Sequence, residues 1–135
     1  VPNISTIVVP DAATTPVNHT FSKVKVNGDS AIFVEQSATS AMGYWPLSIT
    51  CRAPLAGQRD KVYRVKVDFA MPVISTEVIN GVNRPRLEYT LRTTREYVFP
   101  QECTPQNRKD LRKLASGIEN DSNVVIVIEQ LLNVT

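Results

Sequence analysis

Apolar and polar residues alternate through the middle of the chain with the period of two that belongs to a half-buried strand. Leu47, Ile49 and Cys51 fall on one face, and Ser48, Thr50 and Arg52 on the other. After a polar, glycine-containing connection from Pro54 to Lys61 the pattern repeats: Tyr63, Val65, Val67 and Phe69 face a core, while Arg64, Lys66 and Asp68 face away. A third stretch, Leu87 to Phe99, sets Leu87, Tyr89 and Leu91 against Glu88, Thr90 and Arg92, with the alternation weakening from Thr93 to Glu96. Such segments predict an antiparallel sheet with one apolar face to be covered and one polar face.

Upstream, the β-prone run Thr6 to Val9 stops at Pro10 and Asp11, and a second run, His19 to Val26, leads into an Asn27-Gly28 turn. The pair predicts an N-terminal hairpin. A short strand, Ala31 to Gln36, follows, and Ser37 to Gly43 reads as a small-residue loop. Between Pro72 and Pro85 the chain carries Val73, Ile74, Val78, Ile79 and Val82 around Asn80-Gly81, too apolar for a passive linker and interrupted by a turn signal. A protruding hairpin fits that pattern.

Toward the C-terminus the apolar period changes. Thr104 can cap exposed amides and Pro105 suits the first helical position, so Leu111, Leu114, Ala115 and Ile118 predict a helix over residues 105–118 with one apolar stripe. Arg108, Lys109, Arg112 and Lys113 then occupy its solvated side. Residues 123–134 read either way: the run Val124 to Ile128 favours a strand, whereas a cap at Asp121 or Ser122 favours a helix carrying Ile128, Leu131 and Leu132. Strands first and helices last make an α+β domain whose helices cover the apolar side of the sheet.

A chain of 135 residues holds one such domain, spanning residues 1–135, and its 42% hydrophobic and 21% charged residues suit a folded protein. The formal charge of +2 excludes an unspecific polyanion sponge, so any nucleic-acid site is assembled locally. Neither a membrane-length apolar run nor a basic, signal-like start is present, which predicts a cytosolic protein. Cys51 and Cys103 read as free thiols, and two cysteines without histidine or carboxylate support make no metal site. His19 lacks a triad-like setting and reads as a strand or turn residue, and Glu77, Glu88 and Glu96 do not suggest a metal cage. Tyr44 and Trp45 read as core or interface filling. No enzyme, catalytic residue, metal or cofactor is expected.

The polar face carries the chemistry. Ser48, Thr50, Arg52, Arg64 and Lys66 offer hydroxyl and cationic donors, and Asp68 limits the charge and accepts hydrogen bonds. Phosphates require donors and positive potential, while unpaired bases require pockets and directional hydrogen bonds; a mixed face offers both.

Thr15-Pro16, Asn18-His19-Thr20-Phe21, the paired basic strands, Pro72-Val73 and Asn80-Gly81-Val82 follow one another in an order that resembles the coat proteins of small single-stranded RNA bacteriophages. With the helix-forming tail, the resemblance spans nearly the whole chain. It implies an N-terminal β-hairpin, a five-stranded antiparallel sheet and two C-terminal helices, interlocked as a homodimer with a ten-stranded sheet. Dimers would form a quasi-symmetric icosahedral capsid around phage RNA in the bacterial cytoplasm. The inward face would bind a genomic hairpin and repress replicase translation. On this resemblance Ser48, Thr50 and Arg52 match one RNA-facing strand, and Arg64, Lys66 and Asp68 the next; Pro46 stands where members often carry a basic residue. On the third strand Tyr89 resembles a base-stacking tyrosine, whereas face alternation favours Arg92 and Thr94. Val73, Ile74, Val78, Ile79, Asn80, Gly81, Val82 and Pro85 match the loop that clusters at capsid symmetry axes. Two rival readings use the same face: a homodimeric RNA-binding regulator that builds no shell, and a purely structural coat protein with weak RNA selectivity.

Overall fold

The computed structural model describes residues 3–57, 59 and 61–135; Val1 and Pro2, and Gln58 and Asp60 of the expected Pro54–Lys61 connection, lie outside the described residues. Among the described residues, one sheet contains six strands: β1 (Thr6–Pro10), β2 (Asn18–Asn27), β3 (Ser30–Glu35), β4 (Trp45–Arg52), β5 (Val62–Ile79) and β6 (Val82–Pro100). They neighbour one another in chain order, and β1 through β5 pair antiparallel. Two helices follow, α1 (Pro105–Glu119) and α2 (Ser122–Gln130). This is the expected α+β succession of hairpin, antiparallel sheet and C-terminal helices.

Two details differ from the sequence reading. The N-terminal hairpin is continuous with the sheet through the β2–β3 pairing, turned at Gly28 with φ +60°. In addition, β5 runs unbroken through Pro72, so the expected strand near Tyr63–Phe69 and the apolar segment beyond it form one element. Proline lacks an N–H, but its fixed φ lies close to extended backbone and the β-branched Val73 and Ile74 continue the strand.

Register explains the core. Ile7 pairs with Phe21, Phe33 with Leu47 and Leu47 with Phe69, which puts the large side chains on one face. Phe33 is 1% exposed and Phe21 and Leu47 are also buried, with Ile7, Ala31, Trp45, Ile49, Val67 and Phe69 packed against them. Phe69 meets Phe21 and Trp45 edge-on, at centroid separations of 5.6 and 6.1 Å. The expected core-facing Leu87, Tyr89 and Leu91 are instead exposed. They lie on the part of β6 toward the hairpin tip, whereas the β4–β5 pairing that builds the core covers only Leu47–Arg52 and Arg64–Phe69.

The chain divides into two compact units, Val1–Val98 and Phe99–Thr135. In the second, Thr104 Oγ1 accepts the Asn107 amide at 3.1 Å and starts α1, while Asp121 Oδ1 accepts the Asn123 amide at 2.9 Å and starts α2. The second cap settles the open alternative at residues 123–134: helix through Gln130, despite the β-prone valines and isoleucines. Neither helix has a buried side chain among the described residues, and Leu114, Ile118 and Ile128 are 64, 61 and 55% exposed. Ala115, Val124, Val125 and Val127 are half-buried.

Candidate nucleic-acid interface

The polar face is built by the pairing of β4 with β5. Ser48 stands opposite Asp68, Thr50 opposite Lys66 and Arg52 opposite Arg64, alternating with the core pairs Leu47–Phe69, Ile49–Val67 and Cys51–Val65. Six of the residues singled out in the sequence therefore form three cross-strand rows on one face. From β3, Ser30 adjoins Thr50, and their hydroxyl oxygens are 2.8 Å apart.

Side-chain bonds fix the face presented by β6. Thr94 Oγ1 donates to Asp68 Oδ1 at 2.8 Å, and Arg64 Nη1 donates to Glu96 Oε1 at 2.8 Å. Counting back from Thr94 by twos brings Arg92 to the same face and leaves Tyr89 on the other. Arg92 and Thr94 join Ser48 and Asp68 around an open hollow of about 400 Å³, whose other walls include Ile32, Pro46 and Ala70. Of the two registers considered for the third strand, this geometry brings Arg92 and Thr94 to Asp68 and does not bring Tyr89.

Charge on this face is partly spoken for. Lys66 Nζ lies 3.7 Å from Asp68 Oδ2, and the Arg64–Glu96 pair has side chains 53 and 40% exposed. Solvent-facing pairs of this kind contribute about 0–1 kcal/mol, so a phosphate can replace either carboxylate at small cost. Glu96 was not assigned to the face from sequence, whereas Pro46 lines it in place of the basic residue that the resemblance implies there. Glu96 shares even parity with Thr94 and Arg92, but its place became visible only once the arm that pairs with Arg64 was known.

Elsewhere the titratable side chains serve the fold. His19 Nε2 lies 2.9 Å from Asp11 Oδ2, its Nδ1 3.6 Å from Glu35 Oε2, and its ring 4.7 Å from that of Trp45. Buried Glu35 also accepts the Ser37 amide at 2.7 Å and the Ser37 hydroxyl at 2.9 Å. Asp11 Oδ1 accepts the amides of Ala13 and Val17 at 3.1 and 3.0 Å. Those bonds, with Val17 the strongest influence and His19 next, lower the Asp11 carboxyl from its ordinary 3.8 to about 2. An imidazole flanked by carboxylates on both nitrogens ties a hairpin to its neighbour. Cys51 and Cys103 are free, and Arg108 Nη1 donates to the Cys103 sulfur at 3.6 Å.

At the far end of β5 and β6, Asn80 and Gly81 have φ of 51 and 77°, the pair of positive values that a two-residue hairpin turn requires. Val78, Ile79 and Val82 beside it are exposed, as is Pro85 farther along. Val73 and Ile74 sit nearer the sheet and are half-buried. Ile74 lies so close to the short turn at Ala41–Gly43 that a Cβ on Gly43 would stand 2.8 Å from Ile74 Cδ1.

A meandering sheet with one polar face is thus followed by two helices with exposed apolar residues. Comparison with known proteins identifies the family: the chain belongs to the Levivirus coat protein family, which it matches over residues 2–133. It is a structural capsid coat protein and not an enzyme. The subunit in the virus-like particle of bacteriophage ESE058 is 30% identical with a TM-score of 0.91, the match covering 99% of this chain and 100% of that one. For the virus-like particle of Beihai levi-like virus 21 the identity is 24% and the TM-score 0.83, with 99% of each chain covered. The bacteriophage GA protein capsid shares the fold at 18% identity and a TM-score of 0.73, over 93% of this chain and 94% of that one. No match was found among curated proteins.

Proposed function

We propose that residues 1–135 act as one coat-protein domain that pairs as an obligate homodimer and assembles in the bacterial host cytoplasm into a quasi-symmetric icosahedral capsid around single-stranded phage RNA. The dimer would join strands β2–β6 of two subunits into one sheet of ten strands, with β1 at its margin and the helices of each subunit laid over the apolar face of the other. What supports pairing is the exposure of Leu114, Ile118 and Ile128 on helices that hold no buried residue among those described. The relatives in virus-like particles support assembly.

On the same reading, the polar face binds an operator hairpin in the RNA and represses replicase translation. The observation that carries this is the alignment of Ser48, Thr50 and Arg52 with Asp68, Lys66 and Arg64 in adjacent rows, with Thr94 bonded to Asp68. Arg52, Arg64, Lys66 and Arg92 supply phosphate contacts, and the hollow between β4 and β6 offers apolar walls with Ser48, Asp68 and Thr94 to bond a base edge. The exposed turn at Asn80-Gly81 would pack Val78, Ile79 and Val82 between dimers at symmetry axes.

A second reading, a structural coat protein with weak RNA selectivity, is favoured by one observation. Glu96 and Asp68 already engage Arg64 and Lys66. Filter binding separates the two, comparing wild type with Lys66→Met on an RNA fragment spanning the replicase start and on its scrambled counterpart, over a salt series. Selective binding by wild type, reduced by about 1–3 kcal/mol in the variant, is expected if the lysine contact is partly desolvated. Equal affinities for both RNAs would leave only the structural role, and uniform shells in negative-stain micrographs would check assembly independently.

A further inference from the structure

Strand β2 carries Lys23 and Lys25 two positions apart, a spacing that puts side chains on the same face of a regular strand. Here the register shifts between them. Ser22 and Lys23 pair with Val34 and Phe33, but Lys25, Val26 and Asn27 pair with Ile32, Ala31 and Ser30. Val24 is the extra residue of a β-bulge. Lys23, opposite core Phe33, belongs to the apolar face, and its Nζ donates to Asn3 Oδ1 at 2.9 Å.

Lys25, opposite Ile32, belongs to the polar face. Ile32 pairs with Ser48 and Ser48 with Asp68; in the next row Asn27 pairs with Ser30, Ser30 with Thr50 and Thr50 with Lys66. Both rows therefore run from β2 to β5. At about 4.8 Å per strand, Lys25 stands roughly 14 Å from β5. The residues facing it along these rows on β3 and β4, Ser30, Ile32, Ser48 and Thr50, carry no carboxylate, whereas Lys66 and Arg64 each have one nearby. Its surroundings supply hydroxyls and an amide that can bond a phosphate without neutralising the ammonium group.

We propose that Lys25 is a phosphate-binding residue that extends the RNA face to β2, holding single-stranded RNA that leaves the central rows by way of Thr50, Ser30 and Asn27. This rests on the proposed reading of the polar face. The occupant is a polyanionic backbone because Lys25 adds a cation to the face beside the Asn27–Ser30–Thr50 row, whose small hydrogen-bonding side chains lead to Lys66. Those side chains leave the groove open to any base sequence.

The test uses the full chain and a long uridylate oligomer, with affinity measured over a salt series for wild type, Lys25→Met, Lys23→Met, Lys25→Arg and Lys66→Met. Size-exclusion profiles establish that each variant keeps its assembly state. Lys25→Met should lower affinity several-fold and reduce the salt slope by about 0.7, the share of one single-strand phosphate contact. Lys25→Arg should restore both, and Lys23→Met, which removes the same charge from the other face, should match wild type. Wild-type behaviour of Lys25→Met beside a weakened Lys66→Met would overturn the extension while leaving the central site standing. An equal loss in Lys23→Met and Lys25→Met would also overturn it, because the effect would then follow net charge and not the face. If Lys66→Met too binds like wild type, the reading of the face fails and the extension with it.

Discussion

In the β1–β2 hairpin, the segment from Asp11 to Val17 is closed by its own polar groups: Asp11 accepts the Ala13 and Val17 amides and meets His19, which also faces Glu35 and stacks on Trp45. The β5–β6 hairpin instead ends in a tight Asn80-Gly81 turn flanked by Val78, Ile79 and Val82, which are 64, 40 and 55% exposed. Both are antiparallel hairpins of one sheet, yet one satisfies its groups within the chain and the other displays β-branched apolar side chains to solvent. A loop held by local hydrogen bonds needs no partner. An exposed apolar strand end is an aggregation hazard unless an assembly covers it, so the contrast sets a hairpin closed within the chain beside one whose exposed tip fits the proposed contact between subunits.

Removing the second tip should have the largest effect. Replacing residues 76–83 by a short Gly/Ser connection takes away Val78, Ile79 and Val82 while leaving the β4–β5 core pairs and both helices intact. Dimers should persist in size-exclusion chromatography, while closed shells in micrographs should fall to a small fraction of the wild-type yield. Normal shells of normal size would deny the tip its proposed role and erase the contrast between the hairpins.

A milder change probes the turn itself. Gly81 has φ of 77° and nothing within 4 Å of where a Cβ would sit, so the Cβ that Gly81→Val adds meets no neighbour and the change bears chiefly on backbone conformation. A β-branched residue held in the left-handed region should cost about 1–2 kcal/mol, read as a shift in the urea midpoint at unchanged slope. An unshifted midpoint would mean that the turn rearranges freely, and the tip would then be shaped by its neighbours in the shell and not by the chain.

These contrasts were legible in the sequence to different depths. The alternation in β4 and β5 was readable because a period of two is a local property, and it placed Ser48, Thr50, Arg52, Arg64, Lys66 and Asp68 on one face without knowledge of their pairing. The cap at Thr104 was equally local. The bulge at Val24 was hidden because one extra residue is defined only against the partner strand, and so Lys25 was missed. Burial of Leu87, Tyr89 and Leu91 was wrongly expected because alternation reports two faces and not what lies against them. At α2 the β propensity of Val124–Ile128 competed with the Asp121 cap, and the cap's bond to the Asn123 amide marks a helix start that propensity alone did not favour. The carboxylates Glu35 and Glu96 look alike in sequence; only the fold separates the buried one bonded to Ser37 from the exposed one bonded to Arg64.

The smallest expected effect belongs to the first hairpin and turns on the sign of one titration. The Val17 amide, His19 and the Ala13 amide lower the Asp11 carboxyl from its ordinary 3.8 to about 2. Because the folded value lies below the ordinary one, the carboxylate's contribution to stability is complete above 3.8 and is lost as the pH falls toward 2. Asp11→Asn keeps an acceptor for the amides but carries no charge in that range, so wild type should be slightly more stable at neutral pH and lose its advantage through the same acidic window. Parallel thermal melts at a series of pH values, with hydrogen exchange of the Val17 amide, would follow the change. A stability difference that persists undiminished down to pH 2 would mean that the ionised carboxylate is not what closes the segment, and the first hairpin would then owe its closure to packing around Trp45 and Phe21.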